Sequence, residues 1–291
     1  MKCLITGGSG QLGLALQTEL SLREIGFVSV DSQELDITDQ VKVNEFINSK
    51  KPSVIFNAAA WTDVDGAETN ESAAYAVNTL GPQNLAIAAK AVGSSLVQFS
   101  TDYVFSGAAA TPWCENSDHN PQSVYGLTKS DGEKLVLGAY SKGSYVVRTA
   151  WLYSAERKNF AKTMTKLALN GVGEVRVVND QEGQPTFTGD LAKQVINLVL
   201  SSAPVGVYHG TNSGQATWFE FAKKIFELSG QDVSRVVPVS SSEYPRPAKR
   251  PSYSVLGHDA WSKSTVEPMR DWRIALEEAM PAIISAVKTE G

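Results

Sequence analysis

Lys2 to Gly13, read KCLITGGSGQLG, is a short apolar strand that runs into a glycine turn and the opening of a helix. Strand, glycine turn and helix together form the context in which such a turn binds a dinucleotide. Gly7 permits the tight turn, Gly10 lets a pyrophosphate approach the backbone, and Gly13 lets the helix lie close to the strand. The helix continues through Leu14, Leu16, Leu20 and Leu22, and the N–H groups at its start are the natural partners of the anion. The spacing is G-x-x-G-x-x-G, one residue longer than the standard fingerprint.

Working outward, a second strand from Gly26 to Val30 ends at Asp31, where an acid suits the ribose hydroxyls of an adenosine. The alternative is that Asp31 caps a loop. Ser32 and Gln33 follow it, with no Arg or Lys to hold a 2′-phosphate, so NADH is favoured over NADPH, and NADPH stays open. Asp36 is placed to reach the adenine amino group, with Ile37 packing on the ring. A helix follows from about Asp39 to Lys50. A strand from Ser53 to Phe56 leads to Asn57-Ala58-Ala59-Ala60-Trp61-Thr62, whose alanines leave backbone open to a flat group. A helix from about Ser72 to Val92 contains Asn78. The strand Ser95 to Phe99 then delivers Ser100-Thr101-Asp102. Ligands of open parallel sheets sit at the carboxyl ends of strands, where all these loops fall.

A helix from about Ser123 to Tyr140 carries Tyr125 and Lys129, stacked on one face by their i,i+4 spacing. An ammonium beside a phenol favours the phenolate and lowers its pKa, which makes the pair a usable general acid or base. Thr101 is placed to hold a substrate oxygen against the tyrosine. The strand Ser144 to Thr149 leads to Trp151, either core or a wall against a sugar ring. Beyond it come helical Asn159 to Asn170, a strand from Glu174 to Val178, a helix from about Gly189 to Ser201, and a strand from Gly206 to His209 that is expected to rejoin the sheet. A helix near Thr217 to Ser229, a strand near Val233 to Val239 and a last helix from Arg273 to Lys288 complete the chain. The fold expected is α/β: a Rossmann-like doubly wound parallel sheet, residues 1–150 plus about 189–212, with a smaller α/β substrate-binding lobe, about 151–188 plus 213–291.

The chain has 291 residues, 42% of them hydrophobic, and a net charge of -5. A basic face for nucleic acid is not indicated. No apolar run approaches the roughly 20 residues of a membrane span, and Met1-Lys2 leads straight into a strand instead of a signal peptide, so a cytoplasmic protein is expected. Cys3 and Cys114 are expected to be reduced, and His119, His209 and His258 show no ligand spacing, so no metal site is expected.

With the glycine turn, Thr101, Tyr125 and Lys129 in order, the chain resembles the extended short-chain dehydrogenase/reductase superfamily. Gly10-Gln11-Leu12-Gly13, Asn57 to Ala60, Ser100 to Phe105, Tyr125 to Lys129, Arg148 to Trp151, Asn159 to Met164, Asp180 to Thr186 and Arg250-Pro251 together resemble the dTDP-4-dehydrorhamnose reductase family. The resemblance implies reduction of a dTDP-linked 4-keto-6-deoxy sugar, dTDP-4-dehydro-β-L-rhamnose, by NADPH or NADH. It implies that Gly10, Gln11 and Leu12 hold the pyrophosphate, that Asp31, Asp36 and Ile37 hold the adenosine, and that Ala60, Trp61 and Thr62 line the nicotinamide side. Thr101, Asp102 and Trp151 then contact the sugar, Tyr125 supplies the proton, Lys129 bonds the ribose, Thr101 donates a second hydrogen bond and Asn78 feeds a proton relay. Sugar-nucleotide dehydratases of the superfamily carry Thr-Asp-Glu where this chain has Thr101-Asp102-Tyr103, which speaks against them. The alternatives are another nucleotide-sugar 4-ketoreductase or epimerase, or a non-catalytic dinucleotide-binding subunit resembling that of methionine adenosyltransferase. Some family members dimerise around Mg²⁺ held by acids, one of them two residues after the last glycine. Ala15 stands there, with Asp190 as another acid, so Mg²⁺ is doubtful and a monomer or weak homodimer is expected.

Overall fold

The computed structural model describes residues 2–290; Met1 and Gly291, the outer ends of the two expected lobes, lie outside them. In chain order the first half contains β1 (Lys2–Thr6), α1 (Gln11–Leu22), β2 (Gly26–Val30), α2 (Gln40–Lys50), β3 (Val54–Asn57), α3 (Val64–Ala67), α4 (Glu71–Tyr75), α5 (Gly81–Val92), β4 (Ser95–Thr101), α6 (Val124–Tyr140) and β5 (Ser144–Thr149). The second half contains β6 (Leu152–Tyr153), α7 (Phe160–Leu169), β7 (Val175–Val178), β8 (Glu182–Gly183), β9 (Thr186–Phe187), α8 (Thr188–Leu200), β10 (Gly206–His209), β11 (Ala216–Thr217), α9 (Trp218–Leu228), β12 (Val236–Val239) and α10 (Trp272–Glu290).

Six strands form one parallel sheet in the order β10-β5-β4-β3-β1-β2. Strands buried on both faces read as continuous apolar runs, and the two-residue period sends alternate side chains into two cores. Cys3, Ile5, Phe56 and Val97 pack under α1 and α8 with Leu16, Leu20, Leu191 and Val195. Leu4, Ile55, Leu96 and Val146 pack under α2, α5 and α6 with Val43, Ile47, Leu85 and Val136. The strand order reverses at β1, so the loops after β1 and β3 flank the crevice where ligands of such sheets bind.

A further core lies outside the sheet. Tyr153, Met164, Phe221, Ile225, Phe226, Trp272, Leu276 and Ile283 build it from β6, α7, α9 and α10. Trp261 and Met269, from the stretch expected in the smaller lobe, pack instead with the sheet core, and Trp261 Nε1 donates to the His209 carbonyl at 2.8 Å.

The expected helix from Ser72 to Val92 is not continuous. A π turn at Ala76–Leu80 separates α4 from α5. In an α-helix the ring of Pro82 clashes with the carbonyl four residues back, that of Asn78, and the wider turn removes the clash. The strand expected from Val233 begins at Val236, because Asp232 caps a 3-10 turn through the Ser234 N–H at 2.9 Å. The two-residue pairs β6–β9 and β8–β11 are too short to show a period in the sequence.

The glycine turn is as tight as its residues require. Gly7 has φ +69°, and a Cβ on Gly13 would stand 2.4 Å from the Gly7 carbonyl oxygen and 2.8 Å from the Gly8 Cα. Both obstacles are backbone, so α1 itself would have to move. Gly13→Ala is expected to lower stability by about 1–3 kcal/mol, the scale of overpacking, read as a lower thermal midpoint. An unchanged midpoint would show that the turn yields.

Candidate active site

The first turn of α6 is set by its flanks. Ser123 caps the helix, accepting from the Gly126 N–H at 3.2 Å, and Glu68 accepts the Val124 N–H at 2.9 Å. Tyr125 follows at once. A Cβ on Gly126 would lie 2.3 Å from the Tyr103 carbonyl oxygen, so only glycine lets this turn of α6 press onto the residues after β4. The rings of Tyr103 and Tyr125 meet edge to face at 5.6 Å.

Tyr125 and Lys129 therefore come together with Thr101 and Asp102. Burial pushes the Tyr125 phenol up to about 12; the Thr101 hydroxyl beside it partly offsets this, and the Asp102 charge adds to it. The expected lowering of this pKa by Lys129 is thus corrected: desolvation of the phenol raises it, and Lys129 is not among the groups that act on it. Lys129 is 4% exposed and donates Nζ to the Phe99 carbonyl at 2.7 Å. Burial pulls its ammonium down to about 8, and Glu133 opposes that fall.

Thr101 Oγ1 lies 2.9 Å from Asp102 Oδ1 and accepts the Tyr103 N–H at 3.2 Å. A carboxylate oxygen only accepts, so the Thr101 proton points to Asp102. The expectation that Thr101 donates outward is corrected by that bond, which engages its one proton; only a phenolate at Tyr125 would draw that proton away. Asp102 is 2% exposed and burial pushes its carboxyl up to about 6, against the neighbouring Ser254 and Thr101 hydroxyls. Ser254 Oγ also lies 3.3 Å from the Glu182 carbonyl, and with its proton there Asp102 Oδ2 has no hydrogen-bond partner among the described residues.

Across the crevice lies a cradle that fits a dinucleotide. Gly10 caps α1 with no side-chain bond, and the first turn of the helix holds no acid, so its N–H groups and those of Gln11 and Leu12 are not opposed by a carboxylate. Asp31 stands at the end of β2, and its Oδ1 accepts the Gln33 N–H at 2.9 Å. Asp36 accepts both the N–H and the hydroxyl of Thr38. Ile37 is not free to cover an adenine. It is buried against Gly81, where the missing side chain opens a slot in the core. Ala58, Ala59, Ala60 and Trp61 are half-buried along the opposite side, and Thr62 is exposed.

Asn78 is a clamp, which corrects its expected part in a proton relay. Its Oδ1 accepts the Trp61 N–H at 2.9 Å, and its Nδ2 donates to the Trp61 carbonyl at 3.1 Å and to Thr128 Oγ1 at 3.2 Å. The π turn presents this side chain to the loop after β3, and both of its N–H protons are engaged there.

A family model described as the RmlD substrate binding domain matches residues 1–284. The chain belongs to this family. It is 44% identical to a dTDP-4-dehydrorhamnose reductase of Streptomyces griseus, over 96% of this chain and 93% of that protein. It is 43% identical to a probable dTDP-4,6-dihydroxy-2-methyloxan-3-one 4-ketoreductase of Streptomyces antibioticus, over 98% and 97%. A crystal structure of dTDP-4-dehydrorhamnose reductase from Bacillus anthracis in complex with NADP superposes with a TM-score of 0.92 at 38% identity, covering 96% of this chain and 98% of that one.

In this RmlD-family chain Trp151 does stand at the end of β5, in a left-handed conformation with φ +45° that a bulky residue rarely adopts. Its indole stacks on Trp218 at 3.5 Å, so one face is already covered and the rest is half-buried. Trp218 carries no local signal in the sequence; only the docking of α9 brings it there. Two other contacts escaped the sequence reading because each joins distant segments. Arg157 donates to the Ser9 carbonyl at 2.7 Å, and Arg250 pairs with Asp65 at 2.9 Å, strapping the proline-rich loop over the crevice. Asp190 is engaged: Arg270 grips both oxygens at 2.9 Å and Asn212 donates at 2.8 Å. Among the described residues no group of three His, Cys, Asp or Glu is placed to hold a metal ion, and no helix is long and apolar enough to cross a membrane.

Asn78→Ala is expected to free the Trp61 amide, which Asn78 Oδ1 protects. Hydrogen exchange at Trp61 should speed up, with a loss of about 1–3 kcal/mol in urea unfolding. Unchanged protection there would show that the clamp holds nothing.

Proposed function

We propose that this chain reduces the 4-keto group of dTDP-4-dehydro-β-L-rhamnose to dTDP-β-L-rhamnose, with NAD(P)H as reductant. The observation that carries this reading is the phenol of Tyr125 held beside Thr101 and Asp102 at the carboxyl end of β4, across the crevice from a glycine cradle. Two similar proteins named for reduction of dTDP-linked keto sugars support the reaction type, and their differing sugars make a substrate panel necessary.

Gly7, Gly10, Gln11, Leu12 and Gly13 would hold the pyrophosphate, Asp31 the adenosine ribose, and Ala58 to Thr62 the nicotinamide side. The similar protein from Bacillus anthracis binds NADP; in this chain no Arg or Lys stands between Asp31 and Asp36, which favours NADH. When bound, the dihydronicotinamide supplies hydride to the keto carbon. Tyr125, a phenol whose pKa lies well above neutral pH, holds its proton and gives it to the stronger alkoxide base that the reduced oxygen becomes. Thr101 orients the phenol. Lys129 keeps one proton on the Phe99 carbonyl and has two others for ribose hydroxyls. Asp102 offers its unpartnered oxygen to a sugar hydroxyl, and the uncovered edge of Trp151 borders the same space.

In this reading residues 1–150 plus about 189–212 bind the dinucleotide, and 151–188 plus 213–291 cover the sugar nucleotide. A monomer or weak homodimer working in the cytoplasm is proposed, with Asp190 engaged by Arg270 in place of a metal.

NADH and NADPH consumption over a panel of nucleotide-linked 4-keto sugars tests the assignment. Tyr125→Phe should keep dinucleotide affinity and lose turnover by about 10²-fold or more, the scale of general acid catalysis; near-normal turnover rejects the role. The ammonium of Lys129 predominates below its pKa of about 8. If that form bonds the ribose, kcat/KM should fall as pH rises through that value, and a flat profile to pH ~10 would reject it.

A further inference from the structure

Glu133 lies one helical turn beyond Lys129 on the same face of α6, and none of the chemistry above uses it. It is 2% exposed. Its Oε1 accepts from the Ser100 hydroxyl and, at 3.0 Å, from Arg148 Nε; its Oε2 accepts from Arg148 Nη2 at 2.8 Å. Arg148, equally buried, donates Nη1 to the Glu115 carbonyl at 3.0 Å, and its Nη2 lies 2.7 Å from His119 Nε2. Strand register sets Ser100, Arg148 and His209 abreast on β4, β5 and β10, one residue before Thr101 and Thr149.

A buried ion pair is weak evidence of a stability role, since a well-packed apolar pair often serves as well. Its place is more informative. Glu133 grips β4 at Ser100, between Phe99, whose carbonyl takes the Lys129 proton, and Thr101, which faces Tyr125. We propose that Glu133 is a positioning residue of the reduction: its carboxylate, held by Ser100 and Arg148, fixes the Lys129 face of α6 over the end of β4 and is the negative charge that Lys129 faces.

This inference rests on the catalytic reading of Tyr125 and Lys129. The charged and titratable groups of this region are Tyr125 and Glu133 on the Lys129 helix, Arg148 paired with Glu133, His119 and His209 against Arg148, and Asp102 after β4. Glu133 supports the Lys129 charge, whereas Asp102 acts on Tyr125. Burial lowers the pKa of both histidines, that of His209 to about 3, so neither titrates on the alkaline side.

Glu133→Gln removes the charge and keeps the shape. In the NADH-coupled reduction of the dTDP-keto sugar, the alkaline limb of its kcat/KM profile should move to lower pH by about 1 unit, the scale of losing a close opposite charge. Removing Glu133 leaves Arg148 unpaired, so Ser100→Ala is run beside it. That variant loosens the grip and spares the ion pair, and should lower kcat about 10-fold with an unmoved alkaline limb and an unchanged KM for NADH. A folded Glu133→Gln with the parental limb, or a Ser100→Ala with parental kcat, overturns the proposal. Lys129→Met is the control: if it is nearly inactive while those variants are normal, only this inference falls, whereas normal turnover in Lys129→Met removes the catalytic reading and the inference with it.

Discussion

Everything in the crevice depends on how closely α6 lies on the carboxyl end of β4. Gly126 permits the contact with the Tyr103 carbonyl, and Lys129 and Glu133 tie successive turns of the helix to Phe99 and Ser100. The helix thereby brings a phenol to Thr101, the last residue of its anchoring strand. A side chain at position 126 or a longer turn after Thr101 would separate Tyr125 from Thr101 while leaving both elements intact. The site is a property of that contact, not of either element.

The same contact limits access of water, and burial acts on the two groups proposed for catalysis in opposite senses. It makes the phenol harder to ionise and the ammonium easier to lose its proton. For reduction the first effect is useful, since a donor must hold its proton until the alkoxide forms. The second is a cost, and the carboxylate of Glu133 limits it. An i,i+4 Tyr–Lys pair read without its surroundings suggests a lowered phenol pKa; desolvation in the site raises it instead.

Much of the frame was legible because its signals are local. The glycine turn after an apolar strand, the acid after β2, and the strand Gly206–His209 follow from short-range pattern, while its edge position beside β5 is set by the tertiary fold. Asn78 shows where such reading stops. Its presence inside a helical stretch was plain, but its role depends on a π turn that Pro82 imposes and on a loop seventeen residues away. Ile37 is a similar case: an apolar residue after an acid suits an adenine, yet the slot at Gly81 draws it into the core.

The sequence by itself determined the doubly wound sheet, the place of the crevice, and the residue types that meet there, because periodicity, turns and strand ends act over a few residues. Only the tertiary structure decided that Thr101 turns its proton to Asp102, that Trp151 is stacked on Trp218, that Arg270 occupies Asp190, and that Glu133 stands behind Lys129 in a buried network. Each of these pairs segments whose separation along the chain has no bearing on their distance in space, and hydrogen bonding and desolvation act on the distance in space.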